Sequence, residues 1–390
     1  MPETNKPCTA TDREVILVTA NNVDISSCDR EQVHLVGAIQ PHGVLLVLQE
    51  PSLRIVQAST NSADFLGIPC EQLVGQCLES LLGAVHTATI STQLLAKNLT
   101  GAFTHLLSMS GLGHQQGVVH ITGNRIDGLL LLEFEPSRYA VELNPAHTYC
   151  SKLQDIIQHL YGNSGLLNFL AVAVEQLRDL TGFERVMAYR FDRDGSGEVI
   201  AEAKDTALEA YLGLHYPASD VPEPARRLFA LSPLRHLPDV DYEPVLLYPT
   251  LSPLADGHPV DLSHSFLRSV SEMYTGYLRN MGVKATLVMP LMKCGKLWGL
   301  ISCMHHSAPK YLHYEQRFPI ELFSRMVSLR IGDLDNLDHC AYRTRLDQAH
   351  GQLISQIGRA ETHLQALFGN AINLLDGFDA DGAALLERDK

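Results

Sequence analysis

A lone thiol raises the question of what this chain does. Cys28 lies in "DISSCDREQVHLVGAIQPHG" (residues 24–43), between Ser26, Ser27 and the charged run Asp29, Arg30, Glu31, just ahead of the first long apolar stretch. A cysteine that fills a core has apolar neighbours, and this one does not. Two readings stand: an exposed or half-buried thiol with no role, or a nucleophile held for covalent attachment, whose reacting form is the thiolate.

Other residues able to do chemistry gather between positions 214 and 306. In "RSVSEMYTGYLRNMG" (268–282), Val270, Met273, Tyr274, Tyr277, Leu278 and Met281 recur at the three-four spacing of one helical stripe. Ser269 or Ser271 can cap the start of that helix and Gly282 its end. Its two tyrosines either pack in a core or bring hydroxyls that need partners into an apolar space. In "LHYPASDVPEPARRLF" (214–229), Pro217, Pro222 and Pro224 bracket Asp220. The stiff backbone either aims that carboxylate at a ligand or uses it to cap a helix from about Glu223. Arg235 and Arg268 stand near apolar residues, and each offers a planar fork for a carboxylate, although surface ion pairing is the ordinary use of an arginine. His305 and His306 in "CMHHSAPKY" point to opposite faces of a strand and make a poor chelate. With no P-loop, GxSxG, HExxH or dinucleotide fingerprint, nothing argues for an enzyme.

The elements that must position these residues are legible in outline. From Gly43 the pattern runs strand ("GVLLVLQ"), turn, strand ("RIVQAS"), short helix near Asn61, then strands in "GVVHITGN" and "GLLLLEFE", a small α+β domain ending near Pro136. One helical stretch over 149–182, capped by Gly182, leads into a second α+β domain. That domain has strands in "RVMAYRFD" and "GEVIAEA", a Pro-rich middle, and a hairpin of "KATLVMPLM" and "KLWGLISCMHH" turning at Cys294 and Gly295. From Tyr314 the three-four apolar spacing persists for many turns, a long connecting helix that can pair with a second copy of the chain.

Composition narrows the classes. The 390 residues allow two or three domains, 45% of them are hydrophobic, and a formal net charge of −14 argues against a nucleic-acid surface. No apolar run approaches the ~20 residues that span a bilayer, and the N-terminus does not read as a signal peptide. The eight cysteines form no CxxC pair, so reduced thiols and a cytoplasmic location are expected, with neither a zinc site nor a disulfide framework.

Taken in order, "CDREQVHLVGAIQPHG", "RVMAYRFDRDGSGEVIAEA", "YPASDVPEPARRLF", "LRSVSEMYTGYLRNMGV" and "KLWGLISCMHHSAPKY" resemble a bacteriophytochrome photosensory module, from about Cys28 to the end of the chain. The resemblance implies an α+β fold in which PAS and GAF domains are joined by a knot and followed by a long helix. It divides the chain into an N-terminal segment (1–30), a PAS domain (31–136), a GAF chromophore-binding domain (137–312), a connecting helix (313–365) and the beginning of a PHY domain (366–390). The knot would thread the segment ahead of the PAS strands through a GAF loop near "VDYEPVLL".

On this resemblance Cys28 matches the cysteine that forms a thioether to biliverdin IXα, one per chain, while Cys8 lies too far upstream. Relatives that attach a bilin through the GAF domain use a cysteine where this chain has Met273. Carried over by motif, Asp220 would serve the pyrrole N–H groups and the ring-D side, and Tyr189, Tyr216 and Tyr277 would line ring D, where light drives a Z/E isomerisation. Met187, Val221 and Pro222 would pack on the conjugated system; Arg235, Arg268 and Thr286 would hold the propionates. The partners implied are a second copy through the long helix and a downstream output domain or response regulator.

Two positions depart from the family pattern. Tyr274 stands where a pocket histidine is expected, replacing a group that titrates near neutrality with one that does not. In "CMHHSAP" either Met304 takes the place of the next pocket histidine or a one-residue bulge brings His305 there, and the downstream match favours the bulge. The leading expectation is a red/far-red photoreceptor; the alternative is a noncovalent small-molecule sensor or a light-insensitive dimerising scaffold.

Overall fold

The computed structural model describes residues 32–357 apart from 102, 138–144, 163–164 and 255–256. Cys28, the whole segment 1–30, the part of the expected connecting helix at 358–365 and residues 366–390 therefore lie outside the described residues.

The α+β architecture read from the sequence is the one observed. In chain order the first part holds β1 (Ala38–Ile39), β2 (Val44–Gln49), β3 (Arg54–Ser59), α1 (Ser62–Leu66), α2 (Cys70–Leu73), α3 (Leu78–Ala96), β4 (Thr104–Ser110), β5 (Val118–Ile126) and β6 (Leu129–Pro136). Two helices follow, α4 (Pro145–Tyr161) and α5 (Leu166–Thr181), then β7 (Arg185–Phe191), β8 (Gly197–Lys204), β9 (His215–Tyr216) and a 3-10 turn at Ala218–Asp220. The remainder is α6 (Glu223–Leu231), β10 (Arg235–Leu237), β11 (Val245–Tyr248), α7 (Glu272–Asn280), β12 (Ala285–Lys293), β13 (Lys296–His305) and α8 (Tyr314–Ile357).

The strands form two antiparallel sheets, ordered β1-β11-β3-β2-β6-β5-β4 and β10-β12-β13-β7-β8-β9. The unbroken apolar run of β2 follows from burial on both faces. Val44, Leu46 and Leu48 pack on the helix-covered side, whereas Leu45 and Val47 pack with Leu247, Val260, Leu262 and Leu267 from the later chain.

That later chain interlocks the two sheets. β11 leaves the second half to pair with β1 (Ala38↔Leu246) and β3 (Leu247↔Ser59). On the other side of the 34–40 segment, Leu262 N–H donates to His34 O (2.9 Å), Ser269 N–H to Ala38 O (3.0 Å) and Gln40 N–H to Leu267 O (2.7 Å). Residues 34–40 thus run between two arms of the 245–269 segment, held by backbone bonds to both. The residues before them, needed to complete the expected threading, are outside the described set.

The second sheet has an inner and an outer face. Val186, Ala188, Leu287, Met289, Ile301 and Cys303 pack against α4, α5 and the start of α8. Alternation along the same strands turns Met187, Tyr189, Val288, Leu300 and Met304 to the opposite face, under α7 and the loops. α5 ends at Gly182, whose φ of 67° permits the left-handed cap and whose N–H reaches Arg178 O at 2.7 Å.

Two expectations are corrected. The helical stretch over 149–182 is two helices, because Gly165 takes a φ of 85° that an α-helix cannot include. Of the two caps offered for the tyrosine helix Ser271 is the one used, accepting the Met273 N–H at 3.3 Å, so the helix starts at Glu272; Arg268 and Ser269, inside the 268–282 stretch read as helical, are extended alongside β1. α8 spans 44 residues, with Ile320, Phe323, Val327, Ile331 and Leu334 buried on the second sheet. Among the described residues no helix is long and apolar enough to cross a membrane.

Candidate functional site

The outer face of the second sheet carries the site. β7, β12 and β13 supply Met187, Tyr189, Thr286, Val288, Leu300 and Met304; α7 supplies Tyr274, Tyr277 and Leu278; and Tyr216, Val221 and Phe229 close the edge. Tyr189 lies across the start of β8, 6.1 Å from the ring of Tyr216. Only a glycine allows this at position 197, since a Cβ there would sit 2.4 Å from the Tyr189 ring carbon Cζ. Pro222 is half-buried at the entry to α6.

Asp220 had two open readings. Its carboxylate does not cap α6; Oδ2 accepts the Tyr277 hydroxyl at 3.1 Å, so it faces the tyrosine cluster. Burial raises the Tyr277 hydroxyl well above the ordinary tyrosine range, with the Asp220 charge adding to it. Burial likewise pushes Tyr189 up to about 12, again with Asp220 contributing. Burial also raises Tyr216 and Tyr274; the Tyr274 hydroxyl stands 3.5 Å from Thr286 Oγ1. All four stay neutral phenols near pH 7, and the Tyr189 hydroxyl is buried without a hydrogen-bond partner among the described residues.

The two arginines are buried rather than on the surface. Arg235 sends Nη1 to Phe266 O (3.2 Å) and Ser265 O (3.4 Å), and Nη2 to Arg268 O and to Ser269 O (3.1 Å). Arg268 donates through Nη1 to Val33 O (2.9 Å), while its Nε is buried with no partner among the described residues. Among the described residues neither forms an ion pair with a carboxylate. Burial lowers the Arg235 guanidinium to about 10 and depresses Arg268, which also feels Arg235 beside it. Glu133 and Asp261 act on them only at a distance, so two desolvated cations with no carboxylate in contact among the described residues leave a site that an anion would relieve.

His305 is not in this cluster. The β12–β13 register runs unbroken from Leu291↔Gly299 to Ala285↔His305, its one shift lying at Leu291/Met292 near the turn. The expected bulge near Met304 is therefore absent, and Met304 pairs with Thr286 and faces the tyrosines. His305 points the other way, its ring 6.0 Å from that of Phe183 and its Nδ1 3.8 Å from Glu184. Tyr242 was missed: its hydroxyl accepts the Val270 N–H (2.9 Å) and bonds Ser269 Oγ (2.6 Å), fixing the chain between Arg268 and α7. No local pattern marks that residue, because its partners are 27 and 28 positions away.

Comparison with known proteins fits this geometry. The PAS fold profile matches residues 28–137 and the GAF domain profile residues 165–331. Cyanobacterial phytochrome A of Nostoc is 37% identical over 369 residues, 94% of this chain and 48% of its own length. The bacteriophytochrome of Xanthomonas campestris is 36% identical over 374 residues, 94% of this chain and 56% of that protein. The solved photosensory core module of Stigmatella aurantiaca phytochrome superposes with a TM-score of 0.78 at 37% identity, covering 91% of this chain and 70% of that one. The chain belongs to the phytochrome family. It is a PAS–GAF photosensory module of bacteriophytochrome type and spans about half the length of these curated relatives. In this phytochrome the tyrosine face and both arginines fall within the stretch matched by the GAF profile, while the 34–40 segment beside Arg268 falls within the PAS match.

Proposed function

We propose that this module is the sensory part of a red/far-red photoreceptor that holds biliverdin IXα in the GAF pocket, tethered through Cys28. The observation that carries the reading is the buried Arg235–Arg268 pair, with no carboxylate paired to it among the described residues, set against a face of neutral tyrosines and methionines. A flat, apolar molecule bearing two carboxylates is what such a site would take, and an open-chain tetrapyrrole with its propionates has that chemistry. The orphaned Arg268 Nε and the orphaned Tyr189 hydroxyl are polar groups such a ligand would satisfy.

When bound, the tetrapyrrole supplies red-light absorption and a double bond whose isomerisation starts the signal. This chain's residues bind and orient it: Arg268 and Arg235 take the propionates, Asp220 faces the pyrrole N–H groups, and Tyr189, Tyr216 and Tyr277 bound the space where one ring turns. Val33 sits on Arg268, and five residues of chain span at most about 18 Å, so Cys28 has the reach to meet a molecule bound there. Pairing of α8 with a second copy and coupling to an output domain belong to the same proposal.

The test is to add biliverdin to the apoprotein, record the red absorption band and its light-dependent difference spectrum, and look for zinc-enhanced fluorescence of the denatured protein on a gel. Wild type is expected to give all three, and Cys28→Ala to lose the gel signal. A colourless wild type overturns the reading, and a covalent adduct undiminished in Cys28→Ala overturns the attachment site.

A further inference from the structure

The segment 265–269, whose carbonyls hold Arg235, is also gripped from two other directions. On its far side Glu133 of β6 is fully buried, and its Oε1 accepts the Ser265 hydroxyl (2.5 Å) and the Leu267 N–H (3.0 Å), while Oε2 has no partner. Two residues along, on the same face of β6, Glu135 forms a two-bond ion pair with Arg317 in the second turn of α8. The Arg317 guanidinium lies 3.3 Å over the ring of Phe266, the second residue of the same segment. The pattern is visible in β6 itself: Leu129 and Leu131 pack on the 245–269 arm, and the next two positions of that face are Glu133 and Glu135.

We propose that Glu133 is a positioning residue for the tetrapyrrole pocket, pinning the Ser265–Ser269 segment beneath Arg235 and, with Glu135 and Arg317, coupling that segment to the start of α8. The inference rests on the tetrapyrrole reading for its consequence and on the bonds above for its geometry. A displacement of Arg235 on the pocket side must move the carbonyls it holds. Two of those carbonyls belong to Ser265, whose hydroxyl engages Glu133, and to Phe266, whose ring lies under Arg317, and Leu267 between Phe266 and Arg268 gives its N–H to Glu133. The route joins pocket to long helix through the PAS sheet, without passing through α7.

The coupling has a built-in proton dependence. The charged groups facing Glu133 are Glu135 on its own strand and Arg317 from α8, and Arg235 feels it across the segment. Burial first, then the Glu135 charge, pushes the Glu133 carboxyl up to about 7. It is therefore neutral below that pH and charged above it. Ionisation adds repulsion from Glu135 and attraction to the two arginines, both of which bear on where segment 265–269 sits.

Two measurements test this. In biliverdin-loaded protein, the thermal relaxation rate after red illumination is expected to change several-fold between about pH 6 and about pH 8, the window in which such a group passes from mostly protonated to mostly ionised. Glu133→Gln keeps the acceptor for Ser265 and Leu267 and should flatten that profile without lowering pigment loading. Arg317→Met removes the nearby cation and should move the midpoint upward. A wild type that photoconverts with a flat profile, or variants that keep the wild-type profile, overturns the proposal. The second measurement needs no light response: hydrogen exchange in dark protein, comparing wild type with Glu133→Ala. Parallel loss of protection at 265–269 and 314–320 supports the coupling, and loss at 265–269 alone, or at neither, overturns it. A wild type with no difference spectrum but parallel exchange losses overturns the photoreceptor reading and leaves the positioning role standing.

Discussion

Tyr277 on α7 and Asp220 in the turn ahead of α6 are joined by a hydrogen bond of 3.1 Å, which closes the tyrosine helix onto the loop that follows β9. The two residues are 57 positions apart, and the bond fixes the phenol as donor to a carboxylate.

Tyr277→Phe removes that donor and keeps the ring. A hydrogen bond to a charged group contributes about 1.5–3 kcal/mol, and this partly exposed one belongs at the lower end, so the apoprotein should lose about 1.5 kcal/mol in urea unfolding. Pigment loading should persist, whereas the light-minus-dark difference spectrum should lose amplitude as Asp220 is released. An unchanged spectrum would show that the bond does not restrain the photoactive part of the pocket.

Arg268 predicts opposite effects on stability and on binding. Its guanidinium is desolvated, lies beside Arg235 and leaves Nε without a partner. Replacing it by methionine removes a buried charge that has no carboxylate in contact among the described residues, at the cost of the bond to Val33 O. The apoprotein should therefore be unchanged or up to about 2 kcal/mol more stable. Retention of biliverdin, followed by gel filtration and red absorbance, should weaken by about tenfold or more, the loss of one charge-assisted hydrogen bond. A destabilised apoprotein with unimpaired binding would contradict the role given to this residue.

How far the sequence could be read depends on the range of the determining contact. The buried run of β2, the Gly182 cap and the hairpin at Cys294–Gly295 are set by neighbours in the chain, and each was legible. The face shown by residues 303–305 was not, because a one-residue change in pairing exchanges the two faces of a strand, and the register of β13 is fixed by β12 and β7 together. Residues 268 and 269 were misread for a similar reason: they fit a helical pattern locally, but β1 claims their backbone through Ile39 and Ala38, from the far end of the chain. The arginines could be chosen as anion ligands by type, yet their burial without acidic partners could be seen only in three dimensions. Glu133 left a faint local signal, an acid on an otherwise apolar strand face, but its partners Ser265 and Leu267 are more than 130 residues distant.

With His305 turned toward Glu184 and tyrosine at position 274, the cluster around the pocket has no imidazole from either expected position. Met304 pairs with Thr286 and faces the tyrosines, so Met304→His introduces one group that titrates near neutrality at that place. In biliverdin-loaded protein the substitution should lower fluorescence yield and raise the extent of photoconversion, and both should acquire a pH dependence. Tyr274→His tests the second position independently. Spectra and yields that match wild type at every pH would show that the missing imidazoles do not govern the photochemistry.

The buried tyrosines predict how the apoprotein fails in alkali. Tyr189, Tyr274 and Tyr277 are all raised by burial, Tyr189 to about 12, whereas an unfolded tyrosine titrates near 10. Because the folded values lie above the unfolded one, the unfolded chain loses these protons first. The tyrosines' contribution to stability is complete below about pH 10 and is lost as pH rises through the folded values. The urea midpoint should therefore hold steady from neutral pH to about 9.5 and then fall steeply, with the ultraviolet signal of phenolate appearing together with unfolding rather than before it. Tyr189→Phe, which deletes a buried hydroxyl that has no partner, should keep or raise stability at neutral pH by up to about 1 kcal/mol and reduce the alkaline slope. Phenolate absorbance rising near pH 10 in protein that is still folded would mean that the tyrosine face is open to water, and the pocket would then lack the low-dielectric wall on which its reading depends.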